Sequence, residues 1–139
     1  MVQDFRRLFS VRLVSQAGDG MFQNGLATLF FFSPASQGTA ASIAGIQAAK
    51  RTPDLVPLCH PIAIHGVTVE CEITDDGVAI VATVRTADRT GVEMEALTCV
   101  AVAGLTLVDM VKAVDRAAVI TDVRVEEKTG GHSGTWRRR

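Results

Sequence analysis

The chain has 139 residues, a mass of 14.8 kDa and a formal charge of −1. That size can bury a core without disulfides or metal. The near-neutral balance, with a pI near 6.3, excludes a broadly basic nucleic-acid binder or a protein held to anionic membranes by charge.

Charge and aromaticity are divided along the chain. All six Phe lie in the first 32 residues, and 24 of the 29 charged side chains lie at or beyond Lys50. This division predicts two segments, 1–41 and 42–139. Three cysteines, Cys59, Cys71 and Cys99, form no CxxC pair, which fits reduced thiols in a cytoplasm rather than a disulfide framework.

Residues 20–49 carry no charge, yet Gln23, Asn24, Gly25, Ser33 and Pro34 break them up. The dense apolar part, Leu26–Phe32, falls short of the roughly 20 residues a membrane span needs. A signal peptide is disfavoured because Asp19 precedes a late apolar run. The stretch Val11–Pro34, with Gly-Asp-Gly at 18–20, resembles the first transmembrane segment of major facilitator superfamily transporters. No second span follows it, and the alternative is an apolar N-terminal strand or helix packed on the core; either way it offers no nameable chemistry.

From Ser42 to Lys50 the Ala-rich run predicts a helix that stops before Pro53. Val67, Val69, Cys71 and Ile73 alternate with Thr68, Glu70, Glu72 and Thr74, the signature of a strand with one wet face. Asp75-Asp76-Gly77 then turns the chain, and 78–86 alternates again with Val78, Ile80, Ala82 and Val84 inward. Residues 90–114 predict a long helix. Its charge-free stretch Ala96–Val108 is too short to span a bilayer and reads as core. Residues 119–128 predict a further strand. With one strand added before the first helix, the order gives an α+β, ferredoxin-like antiparallel sheet with helices on one face.

Four polar clusters interrupt this core pattern. Lys50-Arg51 precedes a Pro-flanked Leu58-Cys59-His60-Pro61 connection. Cys59, His60 and His65 match no compact zinc spacing. Glu93-Met94-Glu95 opens the long helix, where acidic groups suit the dipole but point in different directions. Asp109 and Lys112, one turn apart, are either a surface ion pair or an acid–base pair at the edge of a dry core. Lys128-Thr-Gly-Gly-His-Ser-Gly134 is a Gly-rich loop with a cation, able to close on phosphate or simply a terminal loop.

Together, Lys50-Arg-Thr, Leu58-Cys-His-Pro61, Thr90-Gly-Val-Glu-Met-Glu-Ala-Leu-Thr98, Asp109-Met-Val-Lys-Ala-Val-Asp115 and Lys128-Thr-Gly-Gly-His-Ser-Gly134 resemble one family in order. It is the MoaC family, the cyclic pyranopterin monophosphate synthases of molybdenum cofactor biosynthesis. The resemblance covers residues 42–139. It implies a cytoplasmic lyase that rearranges 3′,8-cyclo-7,8-dihydro-GTP to cyclic pyranopterin monophosphate with release of pyrophosphate. It further implies no cofactor, no metal, no nucleic-acid or membrane partner, and a hexamer built from dimers with active sites between subunits. Carried over by motif, the catalytic set is Asp109, Lys112, Lys50 and His60. The substrate-binding set is Leu58, Cys59, His60, Glu93, Met94, Glu95 and Lys128.

The resemblance also carries departures. A catalytic lysine in the Lys-Gly-Asp segment that opens the family's first strand falls at Pro34 by ungapped alignment, and an arginine usual before Ile-Ala-Gly is Ser42. The first strand would have to be rebuilt, from Leu26–Phe32 or from Thr39–Ile43. These departures predict a hybrid chain: a synthase body behind a foreign first segment, with impaired turnover or with a nucleotide-binding or assembly role alone.

Overall fold

The computed structural model describes the backbone of residues 8–14 and 34–37, and residues 38–75, 77–113 and 115–139 with their side chains. In chain order the elements are β1 (Leu8–Val14), α1 (Pro34–Lys50), α2 (Thr52–Leu55), β2 (Gly66–Thr74), β3 (Gly77–Arg85), α3 (Glu93–Val111), β4 (Val119–Val125), β5 (Glu127–Lys128) and β6 (Trp136–Arg137). Four strands form one antiparallel sheet in the order β2-β3-β1-β4. The two short strands β5 and β6 pair separately. This is the α+β, ferredoxin-like arrangement that the sequence pattern predicts, with α1 and α3 as crossovers.

Alternation of apolar and polar residues makes the β2–β3 hairpin, which closes with Thr74 opposite Gly77. Ile80, Ala82 and Val84 on β3 are fully buried beneath the helices. The first strand comes from neither segment considered for it. Leu8–Val14 occupies the central position, with Val11 opposite Ile80 and Leu13 opposite Val78. Thr39–Ile43 is helical within α1, and Leu26–Phe32 lies outside the described residues.

Helix α1 begins eight residues earlier than the Ala-rich run suggests, because Pro34 fits a helix's first position, where no N–H partner is needed. The position expected to open a strand therefore opens a helix, and residue 41 lies inside it. Ser42 Oγ donates to the Gly38 carbonyl at 2.7 Å, one turn back. At the other end Thr52, fully buried, donates to the Ala49 carbonyl at 2.9 Å, closing α1 where Pro53 starts the single turn α2.

Helix α3 has 19 residues and is long and apolar enough by length and composition to cross a membrane. Its buried residues Ala96, Cys99, Val100, Ala103, Leu107 and Val111 nevertheless form one stripe that packs on α1 and the sheet. Crossover topology makes α1 antiparallel to α3, and Gly45 faces α3 at close range. A Cβ there would lie 2.9 Å from the Cys99 carbonyl oxygen, 3.1 Å from its Sγ and 3.3 Å from the Ala103 Cβ. Gly45→Ala should therefore lower unfolding free energy by about 1–2 kcal/mol, overpacking outweighing the helix propensity of Ala. Denaturant titration checks this; a variant as stable as the parent refutes the tight crossing.

Strand β4 carries a bulge. Ser10 pairs with Arg124 and Arg12 with Thr121, so Asp122 and Val123 together face one residue of β1. Asp122 adopts φ 57°, a left-handed conformation, and Thr121 Oγ1 and Arg124 Nη1 each donate to its carboxylate at 3.1 Å.

Candidate active site

The sheet register sorts the polar clusters into two groups. Gly66 of β2 pairs with Arg85 of β3, Leu8 with Thr83, and Phe9 with Val125. The start of β2, the end of β3, the end of β4 and hence the start of α3 share one end of the sheet. Leu58–His60, Glu93–Glu95 and Lys128 belong to this end, as does Lys50 at the close of the antiparallel α1. Asp109, in the last turn of α3, lies sixteen residues beyond Glu93 and hence about 24 Å away at 1.5 Å per residue, and Lys112 caps that end of the helix. Pro34, at the start of α1, shares their end.

At the first end Lys128 Nζ lies 2.7 Å from Glu93 Oε1, with the side chains 18% and 25% exposed. Lys128 also donates to Ser133 Oγ at 2.7 Å. That second contact needs the loop to fold back, which Gly130, Gly131 and Gly134 allow by taking φ of 73°, 74° and 69°. Arg138 seals the loop, its amide donating to the Glu126 carbonyl at 2.8 Å and its Nε to the Val125 carbonyl at 3.0 Å. Glu95 is buried, only 2% exposed, while Met94 between the glutamates is exposed. The Glu-Met-Glu segment thus sends one carboxylate to Lys128 and the other into the protein. Leu58 is 98% exposed, His60 is exposed and Cys59 half-buried.

At the opposite end Lys112 Nζ donates to Asp109 Oδ1 at 2.6 Å. The pair forms as the i, i+3 spacing predicts, and its setting is that of a surface ion pair. With side chains 65% and 71% exposed, it stands in solvent instead of against a dry core, because the apolar stripe of α3 faces the other way.

Arg51 pairs with Asp54 at 3.4 Å. His65 Nδ1 is engaged with the Ala87 amide at 3.1 Å, and no group of three His, Cys, Asp or Glu among the described residues could hold a metal ion. Ser133 as a partner of Lys128 was not anticipated, although the hydroxyl-bearing Gly-rich run signalled it.

Burial, with the Cys71 sulfur adding to it, pushes the Cys99 thiol up to about 12 from an ordinary 9.0. Cys71 is raised by burial, partly offset by its hydrogen bond with Ser42. The folded chain therefore holds these protons where the unfolded chain releases them. Stability should be full below pH 9 and fall as pH rises toward 12, by at most about 1.4 kcal/mol per pH unit for Cys99. Urea unfolding at pH 8 and 10.5 checks this. Wild type should lose about 2 kcal/mol more than Cys99→Ala across that interval, and equal losses would contradict a buried neutral thiol.

Residues 35–131 match the MoaC family. The chain belongs to the MoaC family. Among its relatives, the cyclic pyranopterin monophosphate synthase of Streptomyces coelicolor is 70% identical over 98 residues, covering 70% of this chain and 58% of that protein. The synthase of Nocardioides sp. is 69% identical over 101 residues, or 70% of this chain and 62% of that protein. Cyclic pyranopterin monophosphate synthase 3 of Mycobacterium bovis is 47% identical over 142 residues, covering 99% of this MoaC chain and 80% of its own. The chain spans about 58% of the length of the Streptomyces relatives that it matches.

Proposed function

We propose that this MoaC-family chain is a subunit of a cytoplasmic cyclic pyranopterin monophosphate synthase, a lyase of molybdenum cofactor biosynthesis. It rearranges 3′,8-cyclo-7,8-dihydro-GTP and releases pyrophosphate. The synthase domain spans 42–139, and the segment 1–41 contributes β1 to its sheet. The observation that carries the reading is the pairing of Lys128 with Glu93 at 2.7 Å, at the same end of the sheet as Leu58–His60, which sets a cation and carboxylates at one end of the fold. A triphosphate requires such cations, Lys128 and Lys50. A ring rearrangement requires proton donors and acceptors, which Asp109, Lys112 and His60 supply. Pyrophosphate departure then needs positioning and charge stabilisation more than covalent help.

The two groups, about 24 Å apart along α3, are too distant for one small substrate. A homo-oligomer, a hexamer built from dimers, brings the Lys112 end of one subunit to the Lys128 end of another. The nearly fully exposed Leu58 suits burial at such a junction. Pro34 in place of a lysine favours a second reading, in which the nucleotide binds without conversion.

Incubating the pure protein with the cyclised GTP intermediate should yield pyrophosphate and cyclic pyranopterin monophosphate. Binding without product would leave the second reading, and neither would sink both.

A further inference from the structure

Two connections meet at the Lys128 end of the fold: residues 56–65, between α2 and β2, and residues 86–92, between β3 and α3. They are tied together by a set of polar contacts that the family motifs do not include. The His65 amide donates to the Arg85 carbonyl at 2.9 Å, extending the β2–β3 ladder by one rung. The buried Thr86 donates through Oγ1 to the Ala63 carbonyl at 2.8 Å and accepts the Asp88 amide at 3.1 Å. Asp88 Oδ2 accepts the Ala63 amide at 3.3 Å, and His65 Nδ1 accepts the Ala87 amide at 3.1 Å. Both backbone groups of Ala63 are thus held by the opposite connection.

The ring's protonation follows from donor chemistry. A backbone N–H only donates, so Nδ1 is bare and the imidazole proton sits on Nε2. Nδ1 also lies 3.2 Å from the Ala63 carbonyl oxygen, to which a bare nitrogen has no proton to donate.

Resting on the reading of this end as a substrate site, we infer that His65 is a positioning residue. With Thr86 and Asp88 it sets the offset between the Leu58–His60 segment and the Glu93–Glu95 segment. Little slack separates the clasp from either. His60 is three residues from Ala63 with the rigid Pro61 between, and Asp88 is five residues from Glu93. His65 and Asp88 are exposed and bury little apolar surface, so the clasp governs placement more than global stability. A displacement of about 1 Å in a substrate-contacting group is enough to cost a hundredfold in rate.

The test compares His65→Ala with His65→Asn, whose Oδ1 stands near the place of Nδ1 and still accepts. In the assembled protein, His65→Ala should lower kcat for pyrophosphate release about 10- to 100-fold with an unchanged melting temperature. His65→Asn should stay within about threefold of wild type, since it retains the acceptor. Native-state hydrogen exchange supplies the structural readout. The Ala87 amide should be protected in wild type and in His65→Asn, and the Ala87 and Cys59 amides should both exchange faster in His65→Ala. Full turnover in His65→Ala with Ala87 deprotected overturns the inference, as does equal damage from Asn and Ala. If wild type itself releases no pyrophosphate, the synthase reading fails, and Cys59 exchange decides for the clasp: acceleration in His65→Ala supports it, no change refutes it.

Discussion

Two inactive variants should restore activity when they share an oligomer. Lys112→Ala and Lys128→Ala, each purified alone, are expected to lose more than about a hundredfold in pyrophosphate release, the usual cost of removing a proton-transfer or charge-stabilising group. Co-expressed in equal amounts, they should recover about a quarter of wild-type activity. The arithmetic follows from an isologous pairing in which each site takes one end of α3 from each subunit. Half of the dimers are then mixed, and each mixed dimer has one site with both lysines intact and one with neither. The physical basis is the rigid helix between Glu93 and Val111, which keeps its own two ends about 27 Å apart. Mixed oligomers no more active than the separate variants would refute a site shared between subunits. Tagging the two chains differently and purifying through both tags isolates the mixed species.

Features within one element were legible in the sequence, and features joining distant elements were not. The β2–β3 hairpin and the core helix α3 announce themselves by alternation and by a charge-free run, both local patterns fixed by which face is dry. The Asp109–Lys112 pair is likewise a consequence of helical spacing. By contrast, β1 is recognisable only from its pairing with β3 and β4, more than sixty residues away in the chain. Arg12 within it and the transporter-like continuation after it left a strand there as only one of the readings the segment allowed. Pro34 hid the start of α1, since proline signals a break unless it takes a helix's first position.

The site repeats this division. Each lysine could be picked from its motif, but the Glu93–Lys128 contact crosses 35 residues and joins the start of α3 to β5. The His65–Ala87 contact likewise lies beyond any local signal, at a separation of 22 residues. The distance between the two lysine groups, however, could be counted from the sequence once α3 was read as one unbroken helix. Sixteen helical positions cannot curl round one nucleotide, which is why the proposed site draws on two subunits.

Removing the Glu93 charge should separate anion binding from turnover. In the structure Lys128 is committed to Glu93 and Ser133, so an arriving phosphate must compete with a carboxylate for the same ammonium group while being repelled by it. In Glu93→Gln the competing charge disappears and a hydrogen-bond acceptor remains, leaving Lys128 in place. Two unit charges about 5 Å apart interact by roughly 3 kcal/mol at an effective dielectric constant of 20. Because both side chains are partly solvated, about 1 kcal/mol of that is expected to survive. Inhibition by pyrophosphate should therefore tighten about fivefold in Glu93→Gln, whereas Lys128→Ala should weaken it by tenfold or more, since a charge-assisted contact is lost. Turnover should move the other way in the glutamate variant, falling about a hundredfold if the carboxylate takes part in proton transfer. Inhibition constants and kcat measured on the same preparations check both halves. Weaker pyrophosphate inhibition in Glu93→Gln would show that Glu93 serves Lys128 as an essential orienting partner, the opposite of a competitor for its charge.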